Sequence, residues 1–184
     1  MHDDVDRVLI TQAQIQNRVR QLAQQITADH QAVISSNGGI TIVSVLTGSM
    51  IFCADLIRQL PMRMKIGLLT ISSYPGTSMK AQQASILMQQ LSELKNRHVL
   101  VIDDVLDSGN TIRLVRSTLQ QHSPASVRCC VLLRKQTAGA SRTPVEYVGF
   151  DIPDEFVVGY GLDYDDYYRN LPDVVTLKRE AINK

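Results

Sequence analysis

Three short runs in this chain are apolar at nearly every position: ITIVSVL (40–46), VLVID (99–103) and VRCCVLL (127–133). A strand with one wet face alternates apolar and polar residues, so runs of this kind predict strands covered on both faces. Helical patterns lie between them. Ile15, Val19, Leu22 and Ile26 recur at spacings of four and three after Thr11, which predicts an amphipathic helix over 11–32 with Thr11 as its N-cap. SMIFCADLIRQL (49–60) follows the turn TGS and is closed by Pro61, reading as a second helix. MKIGLLTISS (64–73) is a further strand, and residues 111–121 a further helix. Strands alternating with helices imply an α/β architecture, a mainly parallel sheet flanked by helices. The 184 residues suffice for one hydrophobic core, so a single domain spanning 1–184 is expected.

In open sheets of this type ligands settle beyond the carboxyl ends of the strands. One strand end stands out there: HVLVIDDVLDSGNTI (98–112) runs from apolar residues directly into Asp103, Asp104 and Asp107. Clustered carboxylates raise one another's pKa unless cations or hydrogen-bond donors gather around them. The stretch Asp107, Ser108, Gly109, Asn110, Thr111 offers hydroxyls and backbone N–H groups at a helix start, a cradle for phosphate. Two acids beside such a nest suit sugar hydroxyls, and together they describe a ribose 5-phosphate site. Taken singly, the acids could equally be solvated turn residues and N-caps.

Composition narrows the partners. Lys and Arg total 19 against 18 Asp and Glu, a net charge of +1, which gives no electrostatic footprint for nucleic acid or an acidic membrane. No apolar stretch approaches the ~20 residues that span a bilayer, and the acidic start HDDVD lacks a signal pattern. A cytoplasmic protein with small-molecule partners is expected. Cys53, Cys129 and Cys130 are odd in number, and the adjacent pair would strain a mutual bridge. They read as reduced packing residues. The four histidines, His2, His30, His98 and His122, show no ligand spacing.

Two acids, two apolar residues, an acid and then Ser-Gly-x-Thr resembles the fingerprint of phosphoribosyltransferases that bind 5-phosphoribosyl 1-pyrophosphate. FVVGYGLDYDDYYRNLP (156–172), preceded by VGFDIPDE, is similar to the C-terminal segment of hypoxanthine-guanine phosphoribosyltransferases. LTGS (46–49) and SSYPG (72–76) fall where that family has its pyrophosphate loop and mobile lid. The resemblance covers nearly the whole chain. It implies the type I phosphoribosyltransferase fold, with a small hood formed by the terminal segments.

The same resemblance implies the residue roles. Asp107 is the proton acceptor near N7 of the purine. Asp103 and Asp104 hold the ribose hydroxyls, and Asp107 with Ser108, Gly109, Asn110 and Thr111 holds the 5-phosphate. Leu46, Thr47, Gly48 and Arg169 meet the pyrophosphate; Ser73 and Tyr74 belong to the lid. Phe156 stacks on the purine, the Val157 carbonyl accepts from a 2-amino group, and Lys135 donates to the 6-oxo group, with Arg134 the neighbour that could be mistaken for it. Asp163 lies at the purine site and ligates Mg²⁺, the implied cofactor, with Asp103 and Asp104 as further candidate ligands. The implied activity is purine salvage: transfer of the phosphoribosyl group to N9 of hypoxanthine or guanine, giving IMP or GMP, by a homo-oligomer, dimer or tetramer. Two departures are visible. Many members carry Glu-Asp where this chain has Asp103-Asp104, and L-K-G where it has Leu46-Thr47-Gly48, a loop whose first peptide bond the family holds cis. The alternatives are a nucleotide-sensing, RNA-binding regulator on the same fold and a xanthine-preferring transferase.

Overall fold

Thr11 begins the first long helix through a reciprocal capping box: its hydroxyl accepts from Gln14 N, and the Gln14 side chain accepts from Thr11 N. Two of the helix's orphan N-terminal donors are thereby satisfied. The computed structural model describes residues 2–35, 39–72, 85–91 and 93–182. Along them run β1 (Val5–Ile10), α1 (Gln12–Asp29), α2 (Gln31–Ser35), β2 (Gly39–Leu46), α3 (Met50–Ile57), β3 (Arg63–Ser72) and β4 (Ser85–Gln90). There follow β5 (His98–Leu106), α4 (Asn110–Gln120), β6 (Ser126–Lys135), α5 (Ala138–Ser141), β7 (Tyr147–Ile152), β8 (Val174–Leu177) and α6 (Arg179–Ile182).

The main sheet has the order β4-β3-β2-β5-β6-β7. β3, β2, β5, β6 and β7 pair in parallel, and β4 closes one edge antiparallel to β3. Successive residues of the central strands serve two different cores, as a period of two requires. Leu100, Ile102, Cys130 and Leu132 face α1 and α3, packing with Ile15, Leu22, Ile26, Phe52 and Leu56. Val99, Val101, Cys129 and Val131 pack on the other face with Ile112, Val115 and Leu119 of α4. This is why the runs read as continuously apolar. The three cysteines are free and buried, and burial pushes the Cys129 thiol up to about 12. No described helix is long and apolar enough to cross a membrane.

Apart from the sheet, β1 and β8 form an antiparallel pair, so the two ends of the chain meet. Val158 bridges to Val175, which ties the irregular segment after β7 into this hood over a small core of Val158, Leu171, Val175, Leu177 and Ala181.

Two expectations are corrected, and one strand is added to those expected. The helix predicted over 11–32 ends at Asp29, and a separate short helix follows. There the ring of His30, buried at the junction, bonds Ile26 O through Nδ1 at 2.8 Å. The strand carrying the two acids does not stop at 103 but runs to Leu106, because its pairing with β6 continues to Arg134. Asp103 and Asp104 therefore belong to the strand itself. The sheet also gains the antiparallel β4, whose sequence SILMQQ carries little apolar signal.

Phe52 is fully buried in the larger core, two residues into the helix that follows the loop at the end of β2. Phe52→Ala should cost about 3–5 kcal/mol of stability, the usual range for a buried aromatic. A lower urea midpoint at constant slope is the expected reading.

Candidate active site

The carboxyl ends of β2, β5 and β6 lie side by side, and the segment after β7 closes over them. The peptide between Leu46 and Thr47 at the end of β2 is cis. Beyond it, Gly48 is wedged tightly: a Cβ there would overlap Asp104 Oδ2, and a Cβ on Gly161 would overlap Gly48 O. One backbone approach and one carboxylate thus fill space that only glycine leaves open. Ser49 anchors the loop from below, its buried hydroxyl bonding Val45 O at 2.6 Å and Ser44 Oγ at 2.7 Å.

Asp103 is 3 % exposed. Its Oδ1 accepts from Asp104 N at 3.1 Å, and Asp104 Oδ1 accepts from Val105 N at 2.9 Å. Burial holds the Asp103 carboxyl well above the ordinary range, and the neighbouring Asp104 charge pushes the same way. Burial also raises Asp104, opposed by its hydrogen bonds and by the positive charge of Arg169.

Past Leu106 the chain turns through the motif. Gly109 takes the left-handed conformation at φ 78°, and α4 starts at Asn110. Arg113, one turn into the helix, braces this turn. Its guanidinium donates to Ser108 O at 3.0 Å, Asn110 Oδ1 at 2.7 Å and Thr143 Oγ1 at 2.6 Å. The first N–H groups of a helix lack intrahelical partners, so the braced turn presents donors to an anion. Asp107 accepts from Lys135 Nζ at 3.1 Å through its side chain and from Thr137 Oγ1 at 2.7 Å through its carbonyl. Lys135, the last residue of β6, also pairs with Asp154 at 3.3 Å. Arg134, adjacent in the strand, points to the opposite face and grips Asp151 at 2.6 and 3.0 Å, a pairing that holds Asp151 below its usual range. Of the two neighbouring cations, Lys135 reaches Asp107 and Arg134 reaches Asp151.

Phe156 stands 48 % exposed, with its ring edge-to-face to Tyr164 at a centroid distance of 5.7 Å. Val157 beside it is buried. Arg169 donates to Gly161 O at 2.9 Å, pairs with Asp163 at 2.8 Å and with Asp166 at 2.8 Å. The residues expected to meet metal and pyrophosphate, Asp163 and Arg169, are thus joined to each other. Ser73 and Tyr74 lie outside the described residues.

Sequence reasoning missed Asp154, Arg113, Thr137 and the packing of Gly161 on Gly48. Each acts on a residue distant in the chain, and none has a spacing that marks it. Tyr160 belongs with them: its hydroxyl donates to Asp55 Oδ2 at 2.7 Å, fastening the Gly159–Gly161 turn to α3.

The phosphoribosyl transferase domain family matches residues 9–165 of the chain. A hypoxanthine-guanine phosphoribosyltransferase of Staphylococcus aureus is 38% identical over 181 residues, covering 98% of each chain. One of Mycobacterium tuberculosis is 38% identical over 175 residues, covering 95% of this chain and 87% of its own. Among solved structures, a hypoxanthine phosphoribosyltransferase of S. aureus superposes with a TM-score of 0.89 at 38% identity, over 98% of this chain and 96% of the other. A Trypanosoma cruzi hypoxanthine phosphoribosyltransferase gives 0.88 at 31% identity, over 100% and 96%.

The raised carboxyls make a pH prediction. A carboxyl whose pKa is higher in the folded state keeps its proton longer there, so the stability it contributes is full below about pH 4 and falls as pH rises through the folded value. In chelator-treated protein, Asp103→Asn should raise the melting temperature at pH 7, and the gain should shrink towards pH 4. A constant difference across thermal melts at pH 4 to 8 would contradict the burial of charge at Asp103.

Proposed function

Because the chain belongs to the phosphoribosyl transferase family, we propose that it transfers the 5-phosphoribosyl group from 5-phosphoribosyl 1-pyrophosphate to N9 of hypoxanthine or guanine, releasing pyrophosphate. Its fold is the type I fold of that family, a central, mainly parallel sheet with flanking helices and a small hood made by the terminal segments. Residues 1–184 are read as one such domain. The observation that carries the reading is the Lys135–Asp107 pair, 3.1 Å apart, at the strand ends between a phosphate nest and an exposed aromatic face. A donor for a 6-oxo group thereby adjoins an acceptor for the purine proton.

The roles follow. The turn from Asp107 to Thr111, braced by Arg113, holds the 5-phosphate. Asp103 and Asp104 hold the ribose hydroxyls and fix the sugar for in-line attack, turning an encounter into an intramolecular step. Phe156 stacks on the base, with Val157 and Asp163 beside it, while the loop of Leu46, Thr47 and Gly48 receives the pyrophosphate with Arg169. As N9 bonds to C1 of the ribose and the C1–oxygen bond to pyrophosphate breaks, the purine loses its N7 proton to Asp107. A lid including Ser73 and Tyr74 excludes water from the activated sugar.

A hard divalent cation suits the carboxylate oxygens of Asp103, Asp104 and Asp163. No cluster of three or more metal-binding side chains occurs among the described residues, so an ion here shares its shell with substrate oxygens and water. Mg²⁺ when bound neutralises charge growing on the departing pyrophosphate. We read the protein as a cytoplasmic homo-oligomer, dimer or tetramer. Half-exposed Met50 and Ile66 support association. An RNA-binding regulator fits less well, since the charge is balanced and Asp107 stands in contact with Lys135.

Incubating the protein with 5-phosphoribosyl 1-pyrophosphate, Mg²⁺ and each purine should yield nucleotide from hypoxanthine and guanine, and essentially none from adenine. The Lys135 ammonium only donates, so a 6-amino group leaves both unpaired, a mismatch that costs up to ~10⁴- to 10⁵-fold. Xanthine, whose 2-oxo group confronts the Val157 carbonyl, should be poor. Equal use of adenine and hypoxanthine would refute the reading.

Asp107→Asn should lower turnover by about 10²- to 10⁴-fold while binding of the sugar diphosphate is retained. Near-normal turnover in that variant removes Asp107 as proton acceptor.

A further inference from the structure

Lys135 has a second acid partner outside the fingerprint. Its side chain is 14% exposed and its Nζ lies 3.1 Å from Asp107 Oδ2 and 3.3 Å from Asp154 Oδ1. An ammonium carries three N–H donors in tetrahedral array. One of them is donated to Asp107, and the Asp154 carboxylate draws the ammonium from a second side as an ion pair, so the two acids together turn the donors that remain. We propose that Asp154 is the positioning residue that, with Asp107, turns a remaining N–H of Lys135 towards the purine 6-position, and so sets how sharply the site separates 6-oxo from 6-amino bases. The inference rests on the base-transfer reading above.

The local covalent framework favours this role. Lys135 ends β6 opposite Ile152 of β7, and Asp154 lies two residues beyond Ile152 and two before Phe156. One short segment therefore supplies both the ring that stacks on the base and the carboxylate that turns the lysine towards its edge. Pro153 stands between Ile152 and Asp154, and its carbonyl accepts from Glu155 N at 2.8 Å, which folds the segment back tightly. The Asp154 side chain is 63% exposed, so its ion pair contributes little to stability. Its effect falls on direction. Without Asp154, Lys135 is left with Asp107 alone and is free to rotate about that contact, so the remaining donors no longer share one fixed aim.

The experiment compares wild type, Asp154→Ala and Asp154→Glu in steady-state transfer with hypoxanthine and adenine, alongside thermal melts. For Asp154→Ala the expected result is a purine KM raised about tenfold and a hypoxanthine-over-adenine preference lowered about tenfold, the factor that ~1.4 kcal/mol of misdirected hydrogen bonding gives. The KM for the sugar diphosphate and the melting temperature should stay near wild type, and Asp154→Glu should recover most of the preference. Wild-type purine KM and preference in Asp154→Ala overturn the inference and leave the transferase reading intact. A lowered melting temperature with both substrates' KM values raised together also overturns it, because that is a merely structural role. A wild-type protein that transfers to no 6-oxopurine overturns the reading and the inference with it.

Discussion

β5 lies at the centre of the sheet, paired on both edges and covered on both faces, and it ends in acids. That combination constrains everything around it. Asp103 is buried away from water while Asp104 is partly buried, and the backbone N–H bonds to them relieve only part of the cost of a carboxylate there;. The rest of the site is arranged to accommodate them. Gly48 leaves room where any side chain would strike Asp104, and Arg169 brings a positive charge whose field opposes the rise at Asp104.

The cations of the site are also committed before any substrate arrives. Lys135 is shared between Asp107 and Asp154, and Arg169 between Asp163 and Asp166. Surface pairs of this kind are weak, so they orient side chains without locking them. An anion reaching Arg169 exchanges one acceptor for another rather than meeting a solvated guanidinium. The exchange lowers the reorganisation needed on binding, which is where loosely held sites lose affinity. Residues 154–169 carry Asp154, Phe156, Asp163 and Arg169, so the subsites proposed for base and pyrophosphate share one segment.

Much of this was readable from the chain. The continuous apolar runs 40–46, 99–102 and 127–133 fall inside β2, β5 and β6, because burial on two faces removes polar residues from both. The N-cap at Thr11 and a helix beginning within a residue of Thr111 were local signals with local causes. What could not be read was long-range. That β5 continues to Leu106 depends on its pairing with β6, and the edge strand β4 depends on β3 being there to pair with. The partners of the neighbouring cations were likewise hidden, since only the pleat sends Arg134 to Asp151 and Lys135 to Asp107.

The hood illustrates why irregular segments resist sequence reading. FVVGYGL carries the apolar character of a strand, yet Gly159, Tyr160 and Gly161 all take positive φ, and the chain folds on itself through a Gly159–Leu162 bridge. Left-handed backbone at a tyrosine costs about 1–3 kcal/mol and persists only where surroundings enforce it. Here the enforcement is visible on both sides of the turn: Tyr160 OH donates to Asp55, and Tyr160 N donates to Leu171 O at 2.8 Å. Gly161 then rests on Gly48 O, and its own carbonyl receives Arg169. The turn thus joins the loop after β2 to the arginine that faces Asp104, so the placement of charge near the end of β5 depends on a backbone conformation that lies beyond two further strands in the sequence.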